Sequence, residues 1–215
     1  MTFFSDLVDF SQPSLWIAVV SILFNPIYWN IVARSEYRNK TLTKLVGGNP
    51  RLGCYGLAVS IFSLGILRDH LYNVALDEQP KSDILHYGEF KLLSAILFLV
   101  GSTLVVSSMW KLGVTGTYLG DYFGILMSDR VTSFPFNVSN NPMYDGSSLC
   151  FLSTALWKGA PVGILLTALV YFEYKVACLY EEPFTYEIYA KRDREQAQNG
   201  SSSKGPTSSR AKKDL

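Results

Sequence analysis

The sequence predicts an all-α integral membrane protein: a helical bundle of about four membrane helices followed by a disordered polar tail. Three observations carry that prediction. Of 215 residues, 48% are hydrophobic and 14% aromatic against only 17% charged, a mix suited to a bilayer rather than to an ordinary soluble domain. Four long apolar stretches recur along the chain. From Lys191 onward the composition switches to Lys, Arg, Ser and Gly. Strands are not indicated, because a spanning chain must satisfy its backbone bonds internally and no barrel-like alternation recurs.

The first stretch, Leu15–Ala33, begins after Pro13-Ser14 and ends at Arg34. Its central Asn25-Pro26 removes a backbone donor and disfavours helix. The expectation is therefore a kinked, re-entrant or interfacial segment. The second, Leu52–Leu67, lies between Arg51 and Arg68; it is short, and spans if those arginines snorkel. The third, Leu92–Trp110, and the fourth, Gly159–Tyr180, reach the ~20 residues that a helix needs to cross a ~30 Å hydrocarbon core. Residues 1–190 are thus expected to form one membrane domain. Residues 191–215 are expected to be disordered, since they cannot bury enough surface to fold.

The start, with Asp6 and Asp9 and no basic run before its first apolar segment, does not read as a cleaved signal peptide. The basic tail places the C-terminus in the cytosol under the positive-inside rule. Counting back puts Glu181-Glu182 and Arg68–Lys91 in the cytosol and Lys111–Lys158 in the lumen. The Arg34–Arg51 connection also falls in the lumen, in conflict with its Arg34, Arg38, Lys40, Lys44 and Arg51. The terminal Lys212-Lys213-Asp214-Leu215 resembles the dilysine retrieval signal that coat proteins read on endoplasmic-reticulum membrane proteins, a solvated basic tail being the equal alternative.

Near-neutral charge excludes a typical nucleic-acid binder. Scattered Cys54, Cys150 and Cys178 with His70 and His86 offer no metal-ligand spacing, so no metal is expected. The chemistry-bearing features are elsewhere. Glu181-Glu182 closes the last apolar run just before Pro183, where a helix end makes anions unfavourable unless a cation is near. Adjacent helical residues diverge by about 100°, so at most one of the two acids faces a given partner. Gly101, with Ser102 and Thr103, permits close approach of a helix or a ligand, helix packing being the commoner use. Asp121 sits in the Gly-rich run "LGVTGTYLGDYFGIL", and "SFPFNVSNNPMYDGSS" reads as an aromatic, tightly punctuated loop that suits a pocket wall.

Four segments in order carry a resemblance over about Asp9 to Tyr189: "FNPIYWNIVARSEY" at Phe24–Tyr37, "GTYLGDYFGIL" at Gly116–Leu126, "FPFNVSNNPMYDGS" at Phe134–Ser147 and "LYEEPFTYEIY" at Leu179–Tyr189. They resemble the phosphatidylethanolamine N-methyltransferases, above all the animal type that performs three methylations in the endoplasmic reticulum. The resemblance implies transfer of methyl groups from S-adenosylmethionine, as co-substrate, to a membrane phospholipid headgroup, ending in phosphatidylcholine. It also implies the endoplasmic-reticulum membrane and its mitochondria-associated regions. The family's Gly-x-Gly cofactor motif falls on Leu99-Val100-Gly101, where only the second glycine is present, and its acidic pair on Glu181 and Glu182. A more distant group, the isoprenylcysteine carboxyl methyltransferases, shares Pro142, Tyr144 and Gly146 but has Arg-His where this chain has Asn140 and Asn141.

On that reading Glu181 or Glu182 pairs with the amine of S-adenosylmethionine or binds its ribose hydroxyls. Asp121 and Glu89 are candidate bases for the lipid ammonium. Tyr118, Tyr122, Tyr144 and Trp29 are candidate faces for the methylated ammonium, each cation–π contact worth ~0.5–2 kcal/mol, and Pro142 with Tyr144 and Tyr118 is expected to line the pocket. If the Pro142–Gly146 loop reaches that pocket, it conflicts with the helix count, and an extra return of the chain through Leu112–Leu126 would resolve this; the sequence leaves that open. The competing readings are methylation of a prenylated protein's carboxylate and a non-catalytic scaffold.

Overall fold

The computed structural model describes residues 7–129 and 131–202, and these form helices joined by short connections. The long helices are α1 (Pro13–Asn39), α3 (Pro50–Glu78), α4 (Gly88–Thr117), α5 (Pro142–Lys158) and α6 (Pro161–Ser202), with a short α2 (Thr41–Leu45) and single turns at Asp83–His86 and Gly120–Phe123. No strand occurs among the described residues.

Local chemistry sets the starts. α1, α3, α5 and α6 each begin at a proline, whose fixed φ suits a first turn that has no use for its missing N–H. The Asn49 side chain accepts from the amides of Arg51 and Leu52 and closes the N-terminus of α3. The short α2 is held by a distant cap: fully buried Glu36 accepts from the amides of Leu42 (2.7 Å) and Thr43 (3.1 Å) and from the Thr43 hydroxyl.

Four helices are long and apolar enough to cross a membrane, and they are the four expected: Pro13–Asn39, Pro50–Glu78, Gly88–Phe123 and Pro161–Gln196. Their outward faces are apolar, as a bilayer requires; Leu92, Leu99 and Val106 of α4 are all exposed at heptad spacing. α1 runs as one helix through Pro26, with the Asn30 side-chain amide donating to the Pro26 carbonyl at 3.1 Å and that of Asn25 to Leu64 of α3 at 3.3 Å. It is therefore a full-length helix and not a re-entrant segment.

Three sequence expectations are corrected. Pro183 does not stop the last helix; α6 passes through it and continues to Ser202. The Arg34 guanidinium donates to the Tyr180 carbonyl at 2.8 Å and lies 4.7 Å over the Phe184 ring, satisfying a backbone group near the proline ring. Residues 191–202, expected to be disordered, are consequently helical. Buried Ile188 and the Arg192–Met127 and Tyr189–Met127 hydrogen bonds tie this extension to the preceding loop. The terminal Lys212–Leu215 signal lies outside the described residues.

The third correction concerns topology. The chain makes an extra return, but through α5 and not through Leu112–Leu126. α5 packs antiparallel along α4, with Gly101 against Gly146, Ser94 against Ser153, and the Lys91 ammonium on the Trp157 carbonyl. Ser94 and Ser153 exchange hydroxyl-to-carbonyl bonds, both 2.8 Å, in the middle of this seam. A Cβ on Gly101 would stand 2.6 Å from the Gly146 carbonyl, and one on Gly146 would stand 2.6 Å from that of Gly101. This crossing needs both glycines, as in the close helix contacts of membrane interiors where small residues let backbones meet. The return brings the Arg34–Arg51 connection, the 118–141 loop and Glu181 to one end of the bundle. The charge conflict of the simple count disappears with it.

Candidate functional site

The site-bearing end of the bundle gathers α1, α3, α4, α5 and α6 around a cavity of about 430 Å³, within the range usual for small-molecule sites. Glu181 faces into it from α6. Its Oε1 accepts from the Trp29 indole (2.6 Å) and the Asn30 amide (2.9 Å) of α1, and its Oε2 from the Tyr144 hydroxyl (2.8 Å) of α5. Donors from two other helices thus fix the one carboxylate of α6.

Glu182 points the other way, exposed, and accepts from the Asn141 side chain at 2.8 Å. The divergence expected from helix geometry is what the structure shows. The electrostatic setting differs from expectation, however. Because α6 continues past Pro183, the acids are not at a helix C-terminus. They meet instead the first turn of α5, whose free backbone N–H groups favour negative charge.

An aromatic row lines the inner wall. Trp29 stacks on Tyr144 (centroids 6.4 Å, interplanar angle 10°) and Tyr144 on Tyr174 (4.6 Å, 23°). At the far end of the row Arg68 of α3 donates to the Tyr174 hydroxyl at 2.7 Å. Among the described residues one cavity-lining side chain has a buried polar atom without a partner, the hydroxyl of Thr117. Such an orphan in a concave site is a place for a ligand's hydrogen bond.

The sequence-derived candidates separate into groups. Pro142, Tyr144, Tyr118 and Glu181 line the one cavity. Asp121 is close by but turned away from it, accepting from the Thr185 hydroxyl at 2.8 Å. Tyr122 is buried among Tyr37 and Phe184 rather than in the cavity. Glu89 is exposed in the first turn of α4, about 24 Å along the helix from Val105, where the cavity begins. That separation rules out direct proton transfer. Leu99 and Val100 are 65% and 47% exposed on the outer face of α4, and Gly101 is closed by α5. None of these three lines the Glu181 cavity; Gly101 acts on it through Gly146, two residues from Tyr144. Asn30, Arg68, Asp69 and Tyr174 were not singled out from sequence. Arg68 carries a readable signal as an arginine beside an apolar stretch, but by hydropathy its charge ends the second span, whereas the helix runs on to Glu78.

The phospholipid methyltransferase family model matches residues 90–192, which take in nearly all of α4, the whole of α5, and Glu181 and Glu182. The chain is 60% identical to phosphatidyl-N-methylethanolamine N-methyltransferase of Emericella nidulans, over 93% of this chain and 96% of that protein. It is 58% identical to the Saccharomyces cerevisiae protein of the same name, over 87% and 90%. Against Homo sapiens phosphatidylethanolamine N-methyltransferase the identity is 47%, over 89% and 96%. No solved structure matches the chain.

Proposed function

The chain belongs to the phospholipid methyltransferase family, and we propose that its cavity methylates the phosphatidylethanolamine headgroup, through the monomethyl and dimethyl forms, to phosphatidylcholine. The single observation that carries the assignment to this cavity is Glu181, a carboxylate held by donors from two other helices in an aromatic, concave, bilayer-level site. The monomethyl form enters because relatives at 58–60% identity are named for phosphatidyl-N-methylethanolamine. Phosphatidylethanolamine enters through the relatives at 46–47%.

S-adenosylmethionine, when bound, supplies an electrophilic methyl on a sulfonium centre. The residues present fit that group: a fixed anion at Glu181 and the aromatic wall that Trp29 and Tyr144 form beside it suit a molecule cationic at its amine and sulfur. Glu181 already accepts from three donors, so its role is a fixed negative pole and not a mobile base. The Trp29, Asn30 and Tyr144 donors hold that pole in place before the ligand arrives, so no reorganisation is needed at the moment of reaction. The apolar walls from α3 and α4, among them Ile61, Phe62 and Met109, keep water from the reacting nitrogen. Gly101, by seating α5, holds Tyr144 against Glu181.

We read the site end of the bundle as cytosolic. Its α1–α3 connection carries Arg34, Arg38, Lys40, Lys44 and Arg51, whereas the far-end connection carries Asp77, Glu78, Asp83 and Glu89 beside Lys81 and Lys91. On this topology the Asn137-Val138-Ser139 sequon, also at the site end, stays unglycosylated. A mobility shift on endoglycosidase treatment of the membrane-expressed protein would reverse the assignment of sides. An endoplasmic-reticulum location follows the same reading, with the terminal dilysine as its retrieval signal.

The assay is methyl transfer from labelled S-adenosylmethionine to phosphatidylethanolamine and its mono- and dimethyl forms, each offered separately to purified membranes. Incorporation into none of the three sinks the proposal, and the ratio among them assigns the steps. In the same assay Glu89→Gln is expected to leave turnover within about twofold of wild type, because a surface substitution remote from the cavity has little to act on.

A further inference from the structure

The mechanism above leaves one charged cluster unused. Arg68 and Asp69 lie within α3, inside a candidate membrane span, where an ionisable pair is costly and marks function more often than structure. Both line the main cavity and a smaller adjoining one shared with Ser102, Val106 and Cys150. The Arg68 side chain is only 11% exposed, and Asp69 beside it is 56% exposed.

The pair is rigid and half-used. Arg68 donates from Nε (3.0 Å) and Nη2 (2.9 Å) to the same oxygen, Asp69 Oδ1, and from Nη1 to the Tyr174 hydroxyl (2.7 Å). Its guanidinium sits 4.8 Å over the Phe151 ring. Of the five N–H groups of a guanidinium, two have no acceptor among the described residues, and Asp69 Oδ2 has no donor there. The cluster therefore offers a fixed positive fork and a free carboxylate oxygen side by side in one cavity wall.

We propose that Arg68 and Asp69 are the receptor for a zwitterionic headgroup, with the phosphodiester of the lipid on the Arg68 fork and its ammonium on Asp69 Oδ2. This deepens the methyltransferase reading and rests on it. A planar fork matches two phosphate oxygens better than a point charge does. The amino-acid end of S-adenosylmethionine carries the same two charges, but three observations favour the lipid. The cavity at this level is walled by apolar residues of α3 and α4, among them Phe62, Gly65, Val105 and Met109. α3 packs mainly on α1 and touches α4 only sparsely, so acyl chains can remain in the bilayer between these two helices. Finally, the opposite pole of the cavity is already anionic at Glu181, about 10 Å away along α6 from Tyr174, and takes the cationic co-substrate.

A neutral headgroup with both charges satisfied binds here, whereas an anionic lipid lacking the ammonium leaves Asp69 facing a negative charge. Asp69 Oδ2 is also the carboxylate oxygen that can accept the proton the ammonium must lose before its nitrogen lone pair forms the new C–N bond. In that step the methyl–sulfur bond breaks, and its electron pair remains on the departing thioether.

The test uses the full chain purified in detergent. S-adenosylhomocysteine affinity is measured by calorimetry, and the KM for dioleoyl phosphatidylethanolamine in mixed micelles at saturating S-adenosylmethionine. Arg68→Gln and Asp69→Asn are expected to raise the lipid KM about tenfold or more, the loss of one charged contact, with S-adenosylhomocysteine affinity within about twofold of wild type. Arg68→Lys is expected to recover part of the lipid KM. Should Arg68→Gln not fold, Asp69→Asn, on the more exposed side chain, decides alone. Weakened S-adenosylhomocysteine binding with an unchanged lipid KM assigns the pair to the co-substrate and overturns the proposal, as does no change in either. Wild-type protein that neither binds S-adenosylhomocysteine nor methylates the lipid indicts the methyltransferase reading instead.

Discussion

Glu181→Gln is expected to weaken S-adenosylhomocysteine binding on the order of 10²-fold and to abolish detectable methyl transfer, while Glu182→Gln alters either by less than about threefold. The asymmetry comes from geometry. Glu181 accepts from Trp29, Asn30 and Tyr144, whereas Glu182 is exposed and, among the described residues, accepts a hydrogen bond from Asn141 alone. A hydrogen bond to a charged group contributes about 1.5–3 kcal/mol, which is roughly 10- to 150-fold in affinity. The amide of Gln adds a second penalty, because its NH₂ must face one of three donors that need an acceptor. Calorimetry on both variants checks this directly. Equal losses in the two would mean that the acids act together through a helix unwound near Pro183, against the continuous α6 seen here.

Gly101→Ala is expected to lower solubilised-protein stability by more than about 2 kcal/mol. A Cβ at that position meets the Gly146 carbonyl at 2.6 Å, the Cys150 sulfur at 2.9 Å and the Cys150 amide nitrogen at 3.1 Å. Two of these are backbone atoms and cannot swing aside. Separating α4 from α5 also breaks the reciprocal Ser94–Ser153 bonds and draws Tyr144 away from Glu181, so surviving protein should show reduced activity. Gly56→Ala is the control, with open space around its added methyl and a helical site where alanine is the better former. Thermal unfolding in detergent separates the two. Equal melting temperatures for them would show that the seam relaxes without cost.

The Gly101 result bears on how this sequence is read. The family resemblance attaches Leu99-Val100-Gly101 to the cofactor, while the residue chemistry alone favours helix packing. In the fold Gly101 does the packing, and its link to the cavity runs through Gly146 and Tyr144. Both statements come from one glycine, and only the partner across the seam distinguishes them.

What the sequence determined by itself is whatever depends on near neighbours along the chain. Hydropathy and length gave the four spanning helices, the divergence of Glu181 and Glu182 followed from helical pitch, and Pro13 marked where the first apolar stretch begins. Three matters were decided only by tertiary structure, each by contacts between residues far apart in sequence. Helix α5 is too short and mixed in character to declare itself, and it exists as a return because Gly146 and Ser153 fit Gly101 and Ser94. The last helix runs on through Pro183, and Arg34, from the first helix, packs on that turn by its bond to the Tyr180 carbonyl and its place over Phe184. Arg68 becomes part of a site, and not the end of a span, because Tyr174, Phe151 and Asp69 compensate its charge inside the bundle, and no window along the chain holds all four.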